Sequence, residues 1–317
     1  MSQEEIVIKT TNLTKTYNDV AALRNLNLEV KKHSIFGFLG PNGAGKTTTI
    51  KLLVGLIQPT SGSGEIFGLN FKSESMKIRS RIGYLPQEPS FYAHLSAREV
   101  LEFTARFFFS GPKKGIIHRV SEMLELVSLS DKADRPIKGY SSGEKQRLGI
   151  AQAMINLPDL LILDEPAASL DPIGRQDVLK IMSKLSEYTT IFYSTHILDD
   201  VQKVSDTVAI LNQGQLIAQD RIEDILSHKE GTIFSVTVQG DISTVQEQLS
   251  FQKWITNVNV TQLSGDDSYL LKISVSDEAQ AKKALIRELM KDNSLIVSDF
   301  RRQEYELEDI FLKIIEG

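Results

Sequence analysis

The segment that most constrains this chain is GPNGAGKT at residues 40–47, which satisfies the phosphate-binding pattern G-x-x-x-x-G-K-[ST] at every fixed position. The apolar run from Ser34 to Leu39 predicts a strand before it, and Lys46 to Val54 has helical composition after it. Glycines let successive backbone N–H groups converge on phosphate oxygens, and a helix N-terminus adds partial positive charge. The segment therefore predicts a nucleotide site that contains Gly40, Pro41, Asn42, Gly43, Ala44, Gly45, Lys46, Thr47 and Thr48.

Side-chain chemistry assigns roles within and beside this site. The Lys46 ammonium is expected to reach the β- and γ-phosphates of ATP, and the Thr47 hydroxyl to ligate Mg²⁺. A second apolar run, Leu160 to Leu163, ends in two carboxylates. A buried strand positions Asp164 rigidly for the Mg²⁺ shell, and Glu165 directly after it can polarise the attacking water as a general base.

The N-terminal part of the chain predicts one α/β domain over residues 1–225. Short apolar runs alternate with helical patterns, which is typical of a largely parallel sheet, and one predicted strand covers Leu26 to Val30. Residues of about 93–157 are helical without a strong strand, so we expect a helical insert carried on the α/β core. Its first helix opens with the capping box Ser96 to Glu99 and is predicted to run through Phe107.

Residues 226–317 predict a second, smaller α+β domain. The order of elements is βαββαβ, which suggests a ferredoxin-like fold, followed by one more amphipathic helix. The hairpin is expected around Gly265-Asp266-Asp267. The predicted strands are 232–238, 258–263, 269–275 and 295–300, and the predicted helices are 243–249, 278–290 and 307–315.

Bulk composition excludes several classes of protein. With 41% hydrophobic and 24% charged residues the chain reads as globular, and no apolar run approaches the ~20 residues that a membrane-crossing helix needs. The absence of cysteine excludes disulfides and thiolate metal sites. Residues 231–317 hold nine basic and 14 acidic residues, so the tail is a poor candidate for binding a phosphate backbone and no nucleic-acid partner is expected.

Between the two phosphate-site motifs lies YSSGEKQRL at residues 140–148, which resembles the signature motif of ABC ATPases. Further matches follow in that family's order over residues 10 to about 215. Tyr17 resembles the aromatic residue that stacks on adenine, and Gln87 the Q-loop glutamine. Ser169-Leu170-Asp171 resembles the D-loop, and His196 the switch histidine. Taken singly, each residue has a plainer interpretation; Tyr17 can be a packing residue, and Asp171 before Pro172 can simply cap a helix.

The resemblance implies a P-loop NTPase core in which two copies of the chain, or this chain and a paralogous ATPase subunit, hold two ATP molecules between them. It implies that Ser141, Gly143 and Glu144 act on the ATP of the opposite copy. The implied catalytic residues are Glu165, His196, Lys46 and Gln87, and the implied Mg²⁺ ligands are Thr47, Gln87 and Asp164. The family pattern is L-S-G-G-Q; here Tyr140, Ser142 and Glu144 replace the Leu, the first Gly and the Gln.

The function that the resemblance implies is ATP binding and hydrolysis by a subunit that powers an ABC transporter. The partner would be an integral membrane permease, docked near Phe91 and Tyr92, which places the chain at the cytoplasmic face of the cell membrane. The tail LEDIFL at residues 307–312 resembles that of bacterial exporter-type subunits. Two other classes stay open: a soluble ABC ATPase that acts on ribosomes or nucleic acid, and a nucleotide-binding regulator without turnover.

Overall fold

A computed structural model describes residues 5–227, 232–242, 245, 249, 251–263, 267–291, 295–303 and 307. The chain forms two compact units, Met1–Ile222 and Glu223–Gly317. The domain boundary predicted between residues 225 and 226 stays a prediction. No helix within the described ranges is both long enough and apolar enough to cross a bilayer.

Eleven strands belong to the described part of the first unit. They are β1 (Ile6–Tyr17), β2 (Val20–Leu26), β3 (Glu29–Lys31), β4 (Ile35–Leu39), β5 (Ser61–Ile66), β6 (Leu69–Asn70), β7 (Ile82–Leu85), β8 (Leu160–Asp164), β9 (Thr190–Thr195), β10 (Thr207–Asn212) and β11 (Gln215–Arg221). The helices are α1 (Lys46–Leu53), α2 (Ser75–Arg79), α3 (Ala97–Ala105), α4 (Lys113–Leu126), α5 (Ser142–Ala153), α6 (Pro172–Leu185), α7 (Leu198–Val204) and α8 (Ile222–Ser227), the last of which crosses into the second unit.

The central sheet of this unit has six strands in the order β11-β10-β4-β9-β8-β7. All its pairings are parallel except that of β10 with β11. Every residue of β4, β8 and β9 is buried, because strands in the middle of a parallel sheet are covered on both faces. The prediction of an α/β fold with a largely parallel sheet is confirmed. The phosphate-binding loop, the Asp164-Glu165 pair and His196 all lie at the carboxyl ends of these buried strands.

A second sheet is antiparallel, in the order β2-β1-β5-β6, with β3 also paired to β1. The prediction of one strand from Leu26 to Val30 is wrong, because β2 ends at Leu26 and β3 begins at Glu29. The N–H of Leu28 donates to the Thr10 hydroxyl rather than to a backbone carbonyl. A side chain therefore interrupts the ladder, although Leu26, Leu28 and Val30 are all buried as their alternation predicted.

Helices α3, α4 and α5 pack against one another and form the predicted helical insert. The capping box is present, since the Ser96 hydroxyl accepts from the Glu99 N–H and the Glu99 carboxylate accepts from the Ser96 N–H. The helix stops before Phe107, contrary to prediction. Phe107 and Phe108 donate their N–H groups three residues back, so the chain tightens into turns after Ala105.

The second unit contains β12 (Thr232–Gln239), β13 (Ile255–Gln262), β14 (Ser268–Val275), α9 (Glu278–Leu289) and β15 (Ile296–Gln303). Its sheet is antiparallel in the order β13-β14-β12-β15, the arrangement expected of a ferredoxin-like βαββαβ domain. Of the helix predicted over 243–249, only Val245 and Leu249 are described; both are helical and buried. The helix predicted over 307–315 lies outside the described residues except for the buried Leu307.

Candidate active site

The phosphate-binding loop connects β4 to α1, the context that its sequence predicted. Gly43 and Gly45 have left-handed backbones with φ of 81° and 106°, which favour glycine. A Cβ atom at Gly40 would lie 2.3 Å from the Leu211 carbonyl oxygen, and one at Gly45 would lie 2.5 Å from that of Ala22. Neighbouring backbone therefore leaves no room for a side chain at either end of the loop.

Lys46 begins α1 and turns its ammonium group back along this loop. Its Nζ donates to the carbonyl oxygens of Gly40 at 2.7 Å and Pro41 at 3.2 Å. The same Nζ lies 3.2 Å from Glu165 Oε1, and both of these charged side chains are only 6% exposed. A buried cation with three oxygen partners is held in a single position, which suits it to an anionic ligand.

Asp164 ends β8 and is almost completely buried. Its Oδ1 accepts from the Ser194 hydroxyl at 2.6 Å and from the Thr47 hydroxyl at 3.3 Å. The parallel pairing of β8 with β9 places Asp164 directly opposite Ser194. Sheet register and the start of α1 thus bring one carboxylate and two hydroxyl groups together.

Glu165 follows with a left-handed backbone, φ 51°, which turns the chain away from the sheet. Its N–H donates to the carbonyl oxygen and to the hydroxyl of Ser194, at 3.2 and 3.0 Å. Its Oε2 lies 2.8 Å from Nδ1 of His196, just past the end of β9, while Oε1 faces Lys46. The carboxylate is therefore fixed between a cation and an imidazole.

Of these groups, Lys46, Thr47 and Glu165 border a polar cavity of about 380 Å³, whereas Asp164, Ser194 and His196 are not among its lining residues. From the predicted set, Gly40, Pro41 and Ala44 support the loop instead of lining the cavity, while Gln87 joins the lining residues. The cavity is lined by Ala22, Asn42, Gly43, Gly45, Lys46, Thr47, Thr48, Gln87 and Glu165.

Tyr17 ends β1 and is paired with Val20 at the start of the hairpin to β2. Its ring is 45% exposed, and the Lys15 ammonium lies 5.0 Å from the ring centroid. Tyr17 is not one of the residues that line the cavity, although Ala22 of the adjoining strand is. Adenine stacking by Tyr17 stays a prediction.

The signature segment lies at the N-terminus of α5 and contributes no lining residue to this cavity. Ser141 is the N-cap; its hydroxyl accepts from the Glu144 N–H at 3.2 Å, and Glu144 Oε2 accepts from the Ser141 N–H at 2.8 Å. Glu144 Oε1 accepts from Lys132 Nζ at 2.6 Å. Asp171 of the D-loop likewise caps a helix, because its Oδ1 accepts from the Gly174 N–H at 3.1 Å.

Comparison with known proteins decides the family. The profile of the ABC transporter family matches residues 23–168. The bacitracin transport ATP-binding protein BcrA of Bacillus licheniformis is 36% identical over 314 residues, covering 98% of this chain and 98% of that protein. The chain belongs to the ABC transporter family. Another relative, the linearmycin resistance ATP-binding protein LnrL of Bacillus subtilis, is 32% identical, with 97% of this chain and 98% of LnrL covered.

Solved ABC cassettes match the fold as well. A dimeric ATP-binding cassette in a post-hydrolysis state with ADP and Pi superposes with a TM-score of 0.63 at 27% identity, covering 68% of this chain and 98% of that one. The cbiO1 protein of Clostridium perfringens, part of the ABC transporter complex cbiONQ, gives a TM-score of 0.66 at 29% identity, with 72% and 93% covered. This ABC chain is thus an ATP-binding subunit of a transporter and an ATPase, rather than a ribosome-acting or regulatory protein.

Two residues of this ABC subunit were missed as site residues by sequence reasoning. No motif of the sequence analysis includes Ser194, yet its hydroxyl connects Asp164 with the Glu165 backbone. A small polar residue at the carboxyl end of the strand before His196 was the available signal. Lys132 was missed altogether, because nothing in the sequence indicates that a lysine 12 residues before Glu144 folds back onto it.

Proposed function

We propose that Glu165 is the general base of ATP hydrolysis in this chain. The observation that supports it is the position of the carboxylate at the cavity wall, with Lys46 Nζ 3.2 Å from one oxygen and His196 Nδ1 2.8 Å from the other. A base held by two partners cannot rotate away from a water molecule in the cavity. Such preorganisation is what a positioned proton acceptor requires.

The remaining roles follow from the chemistry of phosphoryl transfer. Water attacks the γ-phosphorus in line with the departing β–γ bridging oxygen, and its proton passes to Glu165, so the products are ADP and inorganic phosphate. Lys46 neutralises charge on the β- and γ-phosphate oxygens, and the loop N–H groups donate to them. His196 holds the Glu165 carboxylate and, through it, the attacking water.

The residues present are suited to Mg²⁺, which prefers oxygen ligands. Thr47 and Asp164 already share a hydrogen bond of 3.3 Å, and the side chain of Gln87 lines the same cavity and offers an amide oxygen. These three residues would hold the ion. Bound there, it would neutralise developing phosphate charge.

We further propose that two copies of the chain complete each other's sites. The cavity is lined from the phosphate-binding loop, β2, Gln87 and Glu165, whereas Ser141 and Gly143 lie elsewhere on the same chain. A solved relative of this fold is a dimer with ADP and Pi. In the proposed dimer, the Ser141 hydroxyl and the Gly143 N–H donate to the γ-phosphate bound by the second copy, with Glu144 beside them.

The chain is proposed to act at the cytoplasmic face of the membrane through a separate permease, in the export direction. The similarity to subunits named for bacitracin transport and linearmycin resistance supports export over import. Tyr92, shortly after Gln87, is 71% exposed and offers an aromatic docking point for the permease. Aromatic residues are enriched at the cores of protein–protein interfaces.

Lys46→Ala tests the nucleotide site itself. Removal of the buried ammonium should lower ATP affinity at least tenfold in isothermal titration calorimetry, because no second lysine replaces it in the cavity lining. Lys51→Ala, an exposed lysine on the same helix, is the matched control and should bind normally. Undiminished ATP binding in Lys46→Ala would remove the phosphate-binding role.

The double variant Phe91→Ala/Tyr92→Ala tests coupling to the permease. It should abolish transport in membranes that contain the permease, while the ATPase rate of the purified chain stays normal because neither residue lines the cavity. Normal transport by the double variant would refute this docking position.

A further inference from the structure

Two of the three residues that depart from the family's signature pattern form hydrogen bonds with the same residue, Lys132. Tyr140 replaces a leucine and Glu144 replaces a glutamine. The Tyr140 hydroxyl donates to the Lys132 carbonyl oxygen at 2.6 Å, and Lys132 Nζ donates to Glu144 Oε1 at 2.6 Å. Lys132 lies in the short 3₁₀ turn Ser130–Lys132, which follows α4. One residue outside the motif thus contacts both unusual side chains.

The Glu144 carboxylate also reaches the functional serine. Its second oxygen accepts the Ser141 N–H at 2.8 Å, so a single side chain bridges Lys132 and the start of α5. Glu144 is 12% exposed and Lys132 38% exposed. The pair is therefore partly shielded from water, and the geometry of Ser141 depends on where Lys132 holds this carboxylate.

The negative charge of Glu144 has two opposite effects, and Lys132 neutralises the unfavourable one. A carboxylate in the first turn of a helix is favourable for that helix. The same charge opposes an approaching triphosphate, which a neutral glutamine would not do. The Lys132 ammonium cancels that charge at hydrogen-bond distance, so the segment keeps its capping interaction and presents donors to an anion.

We propose that Lys132 is a positioning residue for ATP hydrolysis in the second copy of the chain, acting through Glu144 and Ser141. This inference rests on the proposed function, in which the signature segment completes the opposite site. Tyr140 contributes by fixing the backbone of Lys132 through its hydroxyl, which is buried with the rest of the ring. In this arrangement Lys132 neutralises the charge of Glu144. An uncharged residue at position 144 would need no such partner.

The test is a double-mutant cycle with Lys132→Ala, Glu144→Gln and both changes together in the full-length protein. Lys132→Ala should lower kcat/KM for ATP about tenfold, with most of the loss relieved by raised salt, because an unpaired carboxylate then faces the nucleotide. Glu144→Gln keeps an oxygen acceptor for the Ser141 N–H but removes the charge, so it should lower kcat/KM less than Lys132→Ala does. The combined variant should recover to the level of Glu144→Gln, since the repelling charge is gone.

The following measurements separate a positioning role of Lys132 from a purely structural role, and from failure of the proposed dimer. Calorimetric ATP binding by the monomer should be equal in all variants, because the cavity lining lacks both residues. The control is Lys138→Ala, which removes an exposed lysine between Lys132 and the signature segment and should behave as wild type. A Lys132→Ala variant with normal kcat/KM, or a combined variant as slow as Lys132→Ala, would overturn the inference. Wild-type protein that hydrolyses ATP only as a monomer would instead overturn the proposed dimer.

Discussion

The phosphate-binding loop and the signature segment both contain glycines, but the chain needs those glycines for different reasons. At Gly45 the backbone is left-handed with φ 106°, and an added Cβ would lie 2.5 Å from the Ala22 carbonyl oxygen. At Gly143 an added Cβ would meet nothing closer than the Gly174 Cα at 4.0 Å. The fold of the single chain thus demands glycine in the loop but not in the signature segment. The proposed role in the opposite site therefore predicts that Gly143→Ala impairs hydrolysis by the dimer without affecting the single chain.

The two regions also differ in how they tolerate substitution. In the proposed function the loop acts through backbone N–H groups, and its sequence matches the general pattern at every fixed position. The signature segment is proposed to act through a capping serine and its neighbours, and three of its positions depart from the family pattern. Side chains can be replaced when another side chain compensates, as Lys132 does for Glu144. A backbone contact has no such substitute.

Among the variants that test the difference between the loop and the signature segment, Gly45→Ala has the largest expected effect. A non-glycine residue in this backbone conformation costs about 1–3 kcal/mol, and the overlap with the Ala22 carbonyl adds to it, so the melting temperature should fall by several degrees. The displaced loop should lose ATP affinity at least 100-fold in calorimetry. Retention of both stability and binding would contradict the steric account of this loop.

Gly143→Ala is the matched control for that variant. Alanine in a helix is favoured over glycine by up to about 1 kcal/mol, so the purified chain should be as stable as wild type or slightly more stable. Monomeric ATP binding should not change, whereas phosphate release by the dimer should fall. A marked loss of stability in Gly143→Ala would erase the contrast between the two regions.

Ser194→Ala should have the next largest effect. The buried hydroxyl bonds to the Asp164 carboxylate and accepts the Glu165 N–H, and a hydrogen bond to a charged group is worth about 1.5–3 kcal/mol. Thermal unfolding should show a loss in that range, and the ATPase rate should fall about tenfold because the Asp164 carboxylate and the Glu165 backbone N–H each lose a hydrogen-bond partner. Ser121→Ala, an exposed helical serine, is the control. Equal rates in the two variants would exclude Ser194 from the site.

Many of the residues in these two regions can be predicted from the sequence. Those that cannot be predicted depend on contacts between distant parts of the chain. The loop and the Asp164-Glu165 pair could be predicted from the sequence, because each is a pattern of neighbouring residues in the chain. The position of Ser194 at a strand end is visible in the sequence, but its pairing with Asp164 depends on the register between two strands. The contact of Lys132 depends on the path of a turn, which a local pattern does not encode. The early end of α3 before Phe107 likewise follows from turns rather than composition.

The smallest expected effect is a pH dependence in the signature segment. The Lys132 hydrogen bond, with a smaller contribution from the Ser141 N–H, outweighs burial and holds the pKa of Glu144 below its ordinary value of 4.5. A carboxyl whose folded-state pKa is lowered stabilises the protein fully above its unfolded value and loses that contribution as the pH falls. Glu144→Gln should therefore be up to about 1 kcal/mol less stable than wild type at pH 7. In melts as a function of pH, that gap should close below pH 4.5; a gap that stays constant would argue against the ion pair.

The most direct test of the whole account is phosphate release by Glu165→Gln. This substitution keeps the shape of the side chain and removes its ability to accept a proton, so turnover should fall by about 10²–10⁴-fold. ATP binding measured by calorimetry should persist, because Lys46 and the loop are intact, and ATP should still bring two copies together. Phosphate release at the wild-type rate would contradict the assignment of Glu165 as the base.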